Sequence, residues 1–275
     1  MKYKELKESL YNSNYLPVGY FSIGNRPNVS LALQESIYDL SPSLSEYERE
    51  PEHFNGFYTP KMMEPYSLIK PKVAALDTEL EDHYHSGFDK QGKSDAFMDY
   101  SVGSGDLNKF LIHHHLKKTT PAHIKTYSNY VRTMDNNMED YTVPAPKDFH
   151  VYTGVGPDLD ILGHRANRSN RLYLPAFTST SIQPSTAAMF SGRFSGHGGE
   201  AKKYREVVRL HIPQGSTHGT YLGSTGLTTS LGHEHEFLLH RGHVIQFMGE
   251  PRMSVLGSPI LVHDAKIIRQ IRKPI

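Results

Sequence analysis

The sequence predicts an α+β fold, in which helices come first along the chain and strands follow. From about residue 73 to residue 134, apolar residues recur at the spacing of amphipathic helices. After Pro144 and Pro146 the pattern changes to the short apolar blocks and alternation that are typical of strands. Helices followed by a run of strands favour an α+β architecture over an alternating α/β sheet.

The composition narrows the classes of function without choosing one. The 275 residues suffice for one large domain, or for one domain with a smaller region beside it. With 30 Lys and Arg against 29 Asp and Glu, no net field draws nucleic acid or a membrane surface. Cysteine is absent, which excludes disulfides and thiolate chemistry. No signal-peptide pattern and no apolar run near the ~20 residues of a membrane span are present, so we expect a cytoplasmic protein without a membrane partner.

The first third of the chain carries little pattern. Residues 50–72 contain four prolines and no clean period, which predicts a loop or linker. Residues 73–88 predict a helix. We therefore divide the chain into residues 1–94, an N-terminal region of irregular and helical structure without an assigned role, and residues 95–275, the main domain.

Two helices are predicted at the start of the main domain. The first has Ser104 or Asp106 as its candidate N-cap and an apolar face just after it. The second begins at Thr120-Pro121, because proline is favoured in the first helical turn. Its predicted buried stripe comprises Ile124, Tyr127, Val131 and Met134.

Predicted strands make up most of the remaining chain. A short helix over residues 185–190 separates the second strand from the third. The strands cover residues 149–155, 172–182, 205–212, 233–240, 243–248 and 259–271.

A pair of carboxylates marks the fourth predicted strand. Glu234 and Glu236 flank His235, and because side chains alternate along a strand, both carboxylates are expected on one face. Two carboxylates that close can separate their pKa values and divide their roles between a base and a stabiliser of positive charge. Taken alone, a Glu-x-Glu on an edge strand is most often a solvated surface.

A second polar segment, Ser179-Thr180-Ser181, lies inside an otherwise apolar strand after Phe177. Hydroxyls buried in a sheet need hydrogen-bond partners. Bonding to the neighbouring backbone is the ordinary interpretation. The functional interpretation is a serine that orients a catalytic carboxylate.

Other motifs occur in a fixed order around these two segments. Ser179–Ser181 is followed by Ile212-Pro213-Gln214-Gly215, Tyr221-Leu222, Glu234-His235-Glu236, Leu238-Leu239 and Arg241-Gly242, and is preceded by Tyr100, Gly103-Ser104, Leu107-Asn108 and Leu111. In this order they resemble the arginine-type mono-ADP-ribosyltransferases, a group that includes clostridial binary toxins and phage enzymes of the Alt type. The resemblance covers roughly residues 95–275.

The resemblance implies an ADP-ribosyltransferase fold: N-terminal helices followed by two packed, mostly antiparallel β-sheets that form an NAD cleft. It implies a glycosyltransferase that uses NAD as co-substrate, needs no metal, and transfers ADP-ribose to an acceptor with release of nicotinamide. The implied acceptor is an arginine of a target protein, with a nucleic-acid acceptor left open. A phage enzyme or toxin-like protein delivered into a host cytoplasm fits this description.

The resemblance also assigns roles to residues. Glu236 would stabilise the charge that develops on the ribose, Glu234 would position or deprotonate the acceptor, and Ser179 would brace Glu236. In the loop over residues 191–199, Phe194 would stack on nicotinamide and Arg193 would meet a phosphate. The other implied NAD-binding residues are Tyr152, Thr153, Gly154, Ser179, Thr180, Ser181 and Phe190.

One position departs from the family pattern. Thr153 stands where the family places an arginine that grips NAD, and a hydroxyl cannot make a charged bidentate contact. Arg165, Arg168 and Arg171 follow in the next loop and are candidate substitutes. The second hypothesis is therefore a catalytically impaired binding or virion-associated module with the same fold. Thr153 favours it, whereas the glutamate pair and Ser179 favour an enzyme.

A metal hydrolase is a further rival, because His233, His235, His240 and His243 cluster in the sequence. On a strand, the first two would face away from the glutamates, and the spacing departs from the helical zinc motif. His113–His115 would point three ways around a helix and do not converge on one ion. No metal site is predicted.

Overall fold

The structure is a computed structural model. The part of the chain that it describes comprises residues 66–85, 95–156, 161, 164–165, 170–191, 205–223, 235–254, 260–272 and 274–275.

The described helices largely precede the strands, as the sequence predicts. The third helix begins as expected, since Thr120 Oγ1 accepts a hydrogen bond from the amide of His123 at 3.3 Å and Pro121 lies in the first turn. Its buried residues are Val131, Met134 and Met138. The helices are α1 (Tyr66–His85), α2 (Asp95–His115), α3 (Pro121–Tyr141) and α4 (Pro184–Phe190).

Two helix starts differ from the prediction. α1 begins at Tyr66 and includes Pro71, so the predicted loop was wrong over its last seven residues. α2 begins at Asp95, which places Ser104 and Asp106 inside the helix and excludes them as N-caps. In both cases packing against the sheet overrides the local preference of proline and glycine.

The strands form one hydrogen-bonded sheet in the order β2-β7-β9-β4-β1-β3-β6-β5, with β8 paired to β9. β4 and β9 are parallel and the other pairs are antiparallel. The strands are β1 (Phe149–Gly154), β2 (Arg171–Leu174), β3 (Thr178–Ser181), β4 (Arg205–Ile212), β5 (Gly219–Gly223), β6 (Glu236–Leu239), β7 (His243–Phe247), β8 (Arg252–Ser254) and β9 (Ile260–Gln270).

A narrow junction divides this sheet into two parts. β1 and β3 are joined by the single residue pair Tyr152↔Ser181, whereas β1 and β4 pair over six residues. The three strands β3, β6 and β5 lie on one side of the junction and the remaining strands on the other. The predicted α+β class is confirmed, and the two predicted sheets are linked through this junction.

Three strand predictions need correction. The predicted strand 172–182 divides at Pro175, which has no N–H for a ladder, into β2 and β3. The short strands β5 and β8 were not predicted. β6 begins at Glu236 because His235 has a φ of 45°, so the alternation expected between the two glutamates is broken at His235. Glu234 itself lies outside the described residues.

The core lies on both faces of β6. Phe237 packs with Leu80 and Tyr84 of α1 in one cluster, and Leu238 packs with residues of α2 and α3 in another. α1 therefore contributes to the main core although it precedes the predicted boundary at residue 95, which stays a prediction. Among the described residues, no helix is long and apolar enough to cross a membrane.

Candidate functional site

The candidate site lies at the junction of β1, β3 and β6. Glu236 opens β6 opposite Ser181 and has only 7% of its surface exposed. Ser179 lies two residues along β3 on the same face, and its Oγ donates a hydrogen bond to Glu236 Oε1. A buried carboxylate is disfavoured in its charged form unless a donor compensates, and Ser179 supplies that donor.

The other hydroxyls of the segment hold the strand in place. Thr180 points to the opposite face, where it is buried and its Oγ1 donates to the carbonyl of Phe237. Ser181 Oγ accepts a hydrogen bond from the amide of Gln183 at 2.9 Å, just before α4 begins. Both therefore have structural partners, and Ser179 bonds to the carboxylate of Glu236.

Tyr100 of α2 lies close enough to Glu236 to be affected by its charge, and Asn108 is hydrogen-bonded to Tyr100. Tyr100 is almost completely buried, and its hydroxyl accepts a hydrogen bond from Asn108 Nδ2 at 3.0 Å. Burial, and then the charge of Glu236, raise the pKa of Tyr100 above its ordinary value, so the phenol stays protonated. Asn108 Oδ1 is buried and has no hydrogen-bond partner within the described part of the chain.

In the sequence, Tyr100 and Asn108 were recognised as parts of a motif and not as site residues. The missing signal was spatial. The Tyr100 hydroxyl donates to the carbonyl of Phe177 at 3.4 Å and is affected by the charge of Glu236, residues that come much later in the chain. The available signal in the sequence was that the polar groups of Tyr100 and Asn108 recur along a helix that is otherwise apolar on its buried face.

The end of β1 reaches the site through Thr153 and Gly154. Thr153 Oγ1 donates a hydrogen bond to the carbonyl of Ser179 at 3.1 Å, which adds a link at the junction. A Cβ on Gly154 would collide with the carbonyl of Ala187, so glycine allows α4 to lie directly on β1. Phe190, at the end of α4, is half-buried beside this contact.

The structure does not bring all predicted NAD-binding residues to this site. The Tyr152 side chain is completely buried and packs with Ala187 and Val207, and its role in NAD binding stays a prediction. Arg171 is exposed at the start of β2, four strand positions from β1, or roughly 19 Å at the usual strand spacing. Arg171 as the substitute for the family arginine stays a prediction.

Arg165 has other partners. Its guanidinium lies 5.2 Å from the ring centre of Phe247 and 3.2 Å from Nδ1 of the buried His263. Arg168, Arg193, Phe194, Glu234 and His233 lie outside the described residues.

The histidines that suggested a metal site, His235, His240 and His243, are buried or bonded to other residues. Burial lowers the pKa of His240 and of His243 to about 3. His235 Nδ1 lies 3.0 Å from Asp77 Oδ1. Among the described residues, no three His, Asp or Glu side chains are grouped so that they could hold a metal ion.

Comparison with known proteins identifies the fold. The sequence matches no protein-family model and no curated protein. Among solved structures, it is similar to the ADP-ribosylating toxin BECa of Clostridium perfringens, solved with NADH, at 17% identity and a TM-score of 0.53 over 71% of this chain. C3stau2 of Staphylococcus aureus, solved with NAD, has 17% identity and a TM-score of 0.52 over 71% of this chain. The chain has the fold of the ADP-ribosyltransferase toxins.

The enzymatic component C2-I of the Clostridium botulinum C2 toxin shares this fold, with 17% identity and a TM-score of 0.51 over 72% of this chain. The match spans about half of the length of C2-I and of BECa, at 47% and 48%, but 96% of C3stau2. The predicted ADP-ribosyltransferase fold is thus confirmed at low sequence identity. The arginine-type and phage Alt-type assignments stay predictions.

Proposed function

We propose that this protein is an NAD-dependent mono-ADP-ribosyltransferase, which transfers ADP-ribose from NAD to an acceptor and releases nicotinamide. The observation that carries the proposal is the buried carboxylate of Glu236, held by the Ser179 hydroxyl at the junction of the sheet. In this fold, a fixed negative charge beside the place where a sugar becomes positively charged is the central requirement of the reaction.

The proposed role of Glu236 is electrostatic. NAD supplies the bond between ribose and nicotinamide, whose cleavage leaves positive charge on the ribose. Glu236 is screened little by water because it is largely buried, and its interaction strengthens as that charge develops. Ser179 keeps the carboxylate charged and oriented, since its hydrogen bond favours the ionised form.

The residues around Glu236 fit a ligand with amide and hydroxyl groups. Asn108 Oδ1 is buried without a described partner, and a buried acceptor without a donor usually indicates a ligand or a water. Its position on α2, bonded to Tyr100 beside Glu236, supports a contact with NAD. From the sequence predictions, we retain as proposed NAD-binding residues Tyr152, Thr153, Gly154, Ser179, Thr180, Ser181, Phe190, Arg168, Arg171, Arg193 and Phe194.

We propose a protein arginine as the acceptor, with Glu234 positioning or deprotonating its guanidinium. Support comes from the Glu-x-Glu pattern, in which Glu234 is two residues before the buried Glu236. Delivery into a host cytoplasm, by a phage or a secretion system, is part of the same proposal.

The experiment uses NAD labelled in its adenylate part. The full-length protein is incubated with this NAD and with a free guanidino compound, a bacterial lysate or purified RNA, each in a separate reaction. Label on the guanidino compound and on protein is expected. Label on RNA alone would contradict the arginine acceptor but keep the transferase. Absence of both label transfer and nicotinamide release in every reaction would contradict the proposed function.

Thr153 favours the second candidate, a binding module that retains the fold. Its hydroxyl is already committed to the carbonyl of Ser179, and it cannot supply the charge of the family arginine. Calorimetric binding of NAD without any release of nicotinamide would support this second candidate over the first.

A further inference from the structure

One carboxylate of α1 links β5 to His235, the residue that directly precedes Glu236 on β6. Asp77 Oδ1 accepts a hydrogen bond from the hydroxyl of Tyr221 on β5, and it lies 3.0 Å from Nδ1 of His235 at the start of β6. Burial alone would raise the pKa of Asp77, but the hydrogen bonds from His235 and Tyr221 outweigh it and lower the pKa. Asp77 is therefore ionised and can only accept, so His235 Nδ1 donates.

The residue that Asp77 holds has an unusual backbone. His235 has a φ of 45°, which is uncommon for a residue with a Cβ. Its carbonyl accepts a hydrogen bond from the amide of Ile182 at 3.2 Å, so both the backbone and the side chain are fixed. Such conformations persist where surrounding contacts hold them, and they concentrate at functional sites.

The ladder is also irregular beside Glu236. The pairing of β5 and β6 shifts between Tyr221 and Gly223, and Gly223, opposite Glu236, has a φ of 74°. Such bulges redirect the side chain next to them. Asp77 bonds one residue on each side of this irregularity, Tyr221 and His235.

We propose that Asp77 is a positioning residue for Glu236. By holding His235 in its left-handed conformation, Asp77 sets the direction in which Glu236 enters β6, and with it the alignment of the carboxylate against Ser179. The inference rests on the proposed function, and it gives α1 a role in catalysis. His235 and Glu236 are adjacent in the chain, so a change in the His235 backbone passes directly to the carboxylate.

The test is a double-mutant cycle on the full-length protein, read as the kcat and KM of nicotinamide release. Asp77→Ala is expected to lower kcat about 10- to 100-fold, since a misplacement of about 1 Å can cost this much. The KM for NAD should change little. Asp77→Asn keeps an acceptor oxygen and should retain more activity. Glu79→Gln, an exposed position on the same helix that pairs with Lys147, is the matched control and should leave kcat unchanged.

The His235→Gly background provides the decisive comparison. Glycine adopts a positive φ without help, so the inference predicts that Asp77→Ala costs little further kcat in that background. An equal loss of kcat in both backgrounds, or no loss in either, would overturn the inference. If Asp77→Ala does not fold, Asp77→Asn takes its place in the same cycle.

Failure of the proposed function is distinguishable from failure of this inference. Wild-type protein that releases no nicotinamide would overturn the function and, with it, the catalytic role of Asp77. The cycle is then read from urea unfolding midpoints. If the losses of stability caused by Asp77→Ala and His235→Gly simply add in the double variant, Asp77 does not hold His235. Non-additive losses would support the contact.

Discussion

The proposed reaction requires an ionised Glu236, although only 7% of this residue's surface is exposed to water. Burial favours the neutral acid, and the hydrogen bond from Ser179 Oγ opposes that tendency. The two residues are 57 positions apart and meet because β3 and β6 are neighbouring antiparallel strands.

Replacement of this donor gives the first prediction. Ser179→Ala removes the hydrogen bond to the charged carboxylate, so the pKa of Glu236 should rise and the acid limb of kcat against pH should move to higher pH. We expect kcat for nicotinamide release at neutral pH to fall by about 10- to 100-fold. Ser216→Ala, in the turn after β4, is the control. An acid limb that does not move would show that Ser179 has no influence on the charge.

The family resemblance implied that Ser179 braces Glu236, and the two side chains are hydrogen-bonded in the structure. The sequence did not predict that Tyr100 lies near this carboxylate, or that Asp77 bonds the residue before it. Those contacts join α1 and α2 to strands more than 100 residues later, and only the packing of helices on the sheet brings them together. The face of Glu234 was inferred from strand alternation, which the conformation of His235 interrupts.

At the level of elements, α1 contributes more than its sequence suggested. The prolines between residues 50 and 72 indicated a linker, yet the helix begins at Tyr66 and buries Leu80 and Tyr84 against β6. Local preferences of proline are weak beside the burial of an apolar face. We therefore propose that the main domain begins at or before residue 66.

Truncation of a single α1 side chain tests this proposal. Leu80 is fully buried, so Leu80→Ala should lower the free energy of unfolding by about 2–5 kcal/mol in urea titrations. Thr78→Ala, an exposed position on the same helix, should change it by less than about 0.5 kcal/mol. Equal, small effects of the two substitutions would show that α1 is dispensable to the core.

For the whole molecule, the near-balance of 30 basic and 29 acidic residues means that net charge does not dominate stability at neutral pH.

Two buried histidines, His240 and His243, make the stability of the fold sensitive to acid. His240 Nδ1 accepts from Arg272 at 3.1 Å and its Nε2 donates to Thr142 at 3.0 Å, which fixes a neutral ring. His243 donates through Nδ1 to the carbonyl of His240, and its buried Nε2 has no described partner.

The pH dependence of stability follows from these rings. Burial lowers the pKa of His240 and His243 to about 3 in the folded protein, below the unfolded value of about 6.5. The unfolded chain therefore binds more protons between these values, so stability is complete above pH ~6.5 and is lost as the pH falls below it. The loss approaches about 1.4 kcal/mol per pH unit for each histidine.

Urea unfolding at pH 7.5 and at pH 5.5 measures this loss. The prediction is a clear decrease in the free energy of unfolding at the lower pH, and a smaller decrease in His243→Gln. His123→Gln, on the exposed face of α3, is the control and should keep the wild-type decrease. A His243→Gln protein with the full wild-type pH dependence would exclude this ring as a source of acid sensitivity.

The most direct test of the proposed function compares the rates at which wild-type protein and Glu236→Gln release nicotinamide from NAD. Glutamine keeps the size of the side chain and removes the charge, and Glu250→Gln, at an exposed turn, controls for the loss of a surface carboxylate. We expect steady release by the wild type and by Glu250→Gln, and a rate at least about 10²- to 10³-fold lower for folded Glu236→Gln. Equal rates for Glu236→Gln and the wild type would contradict it.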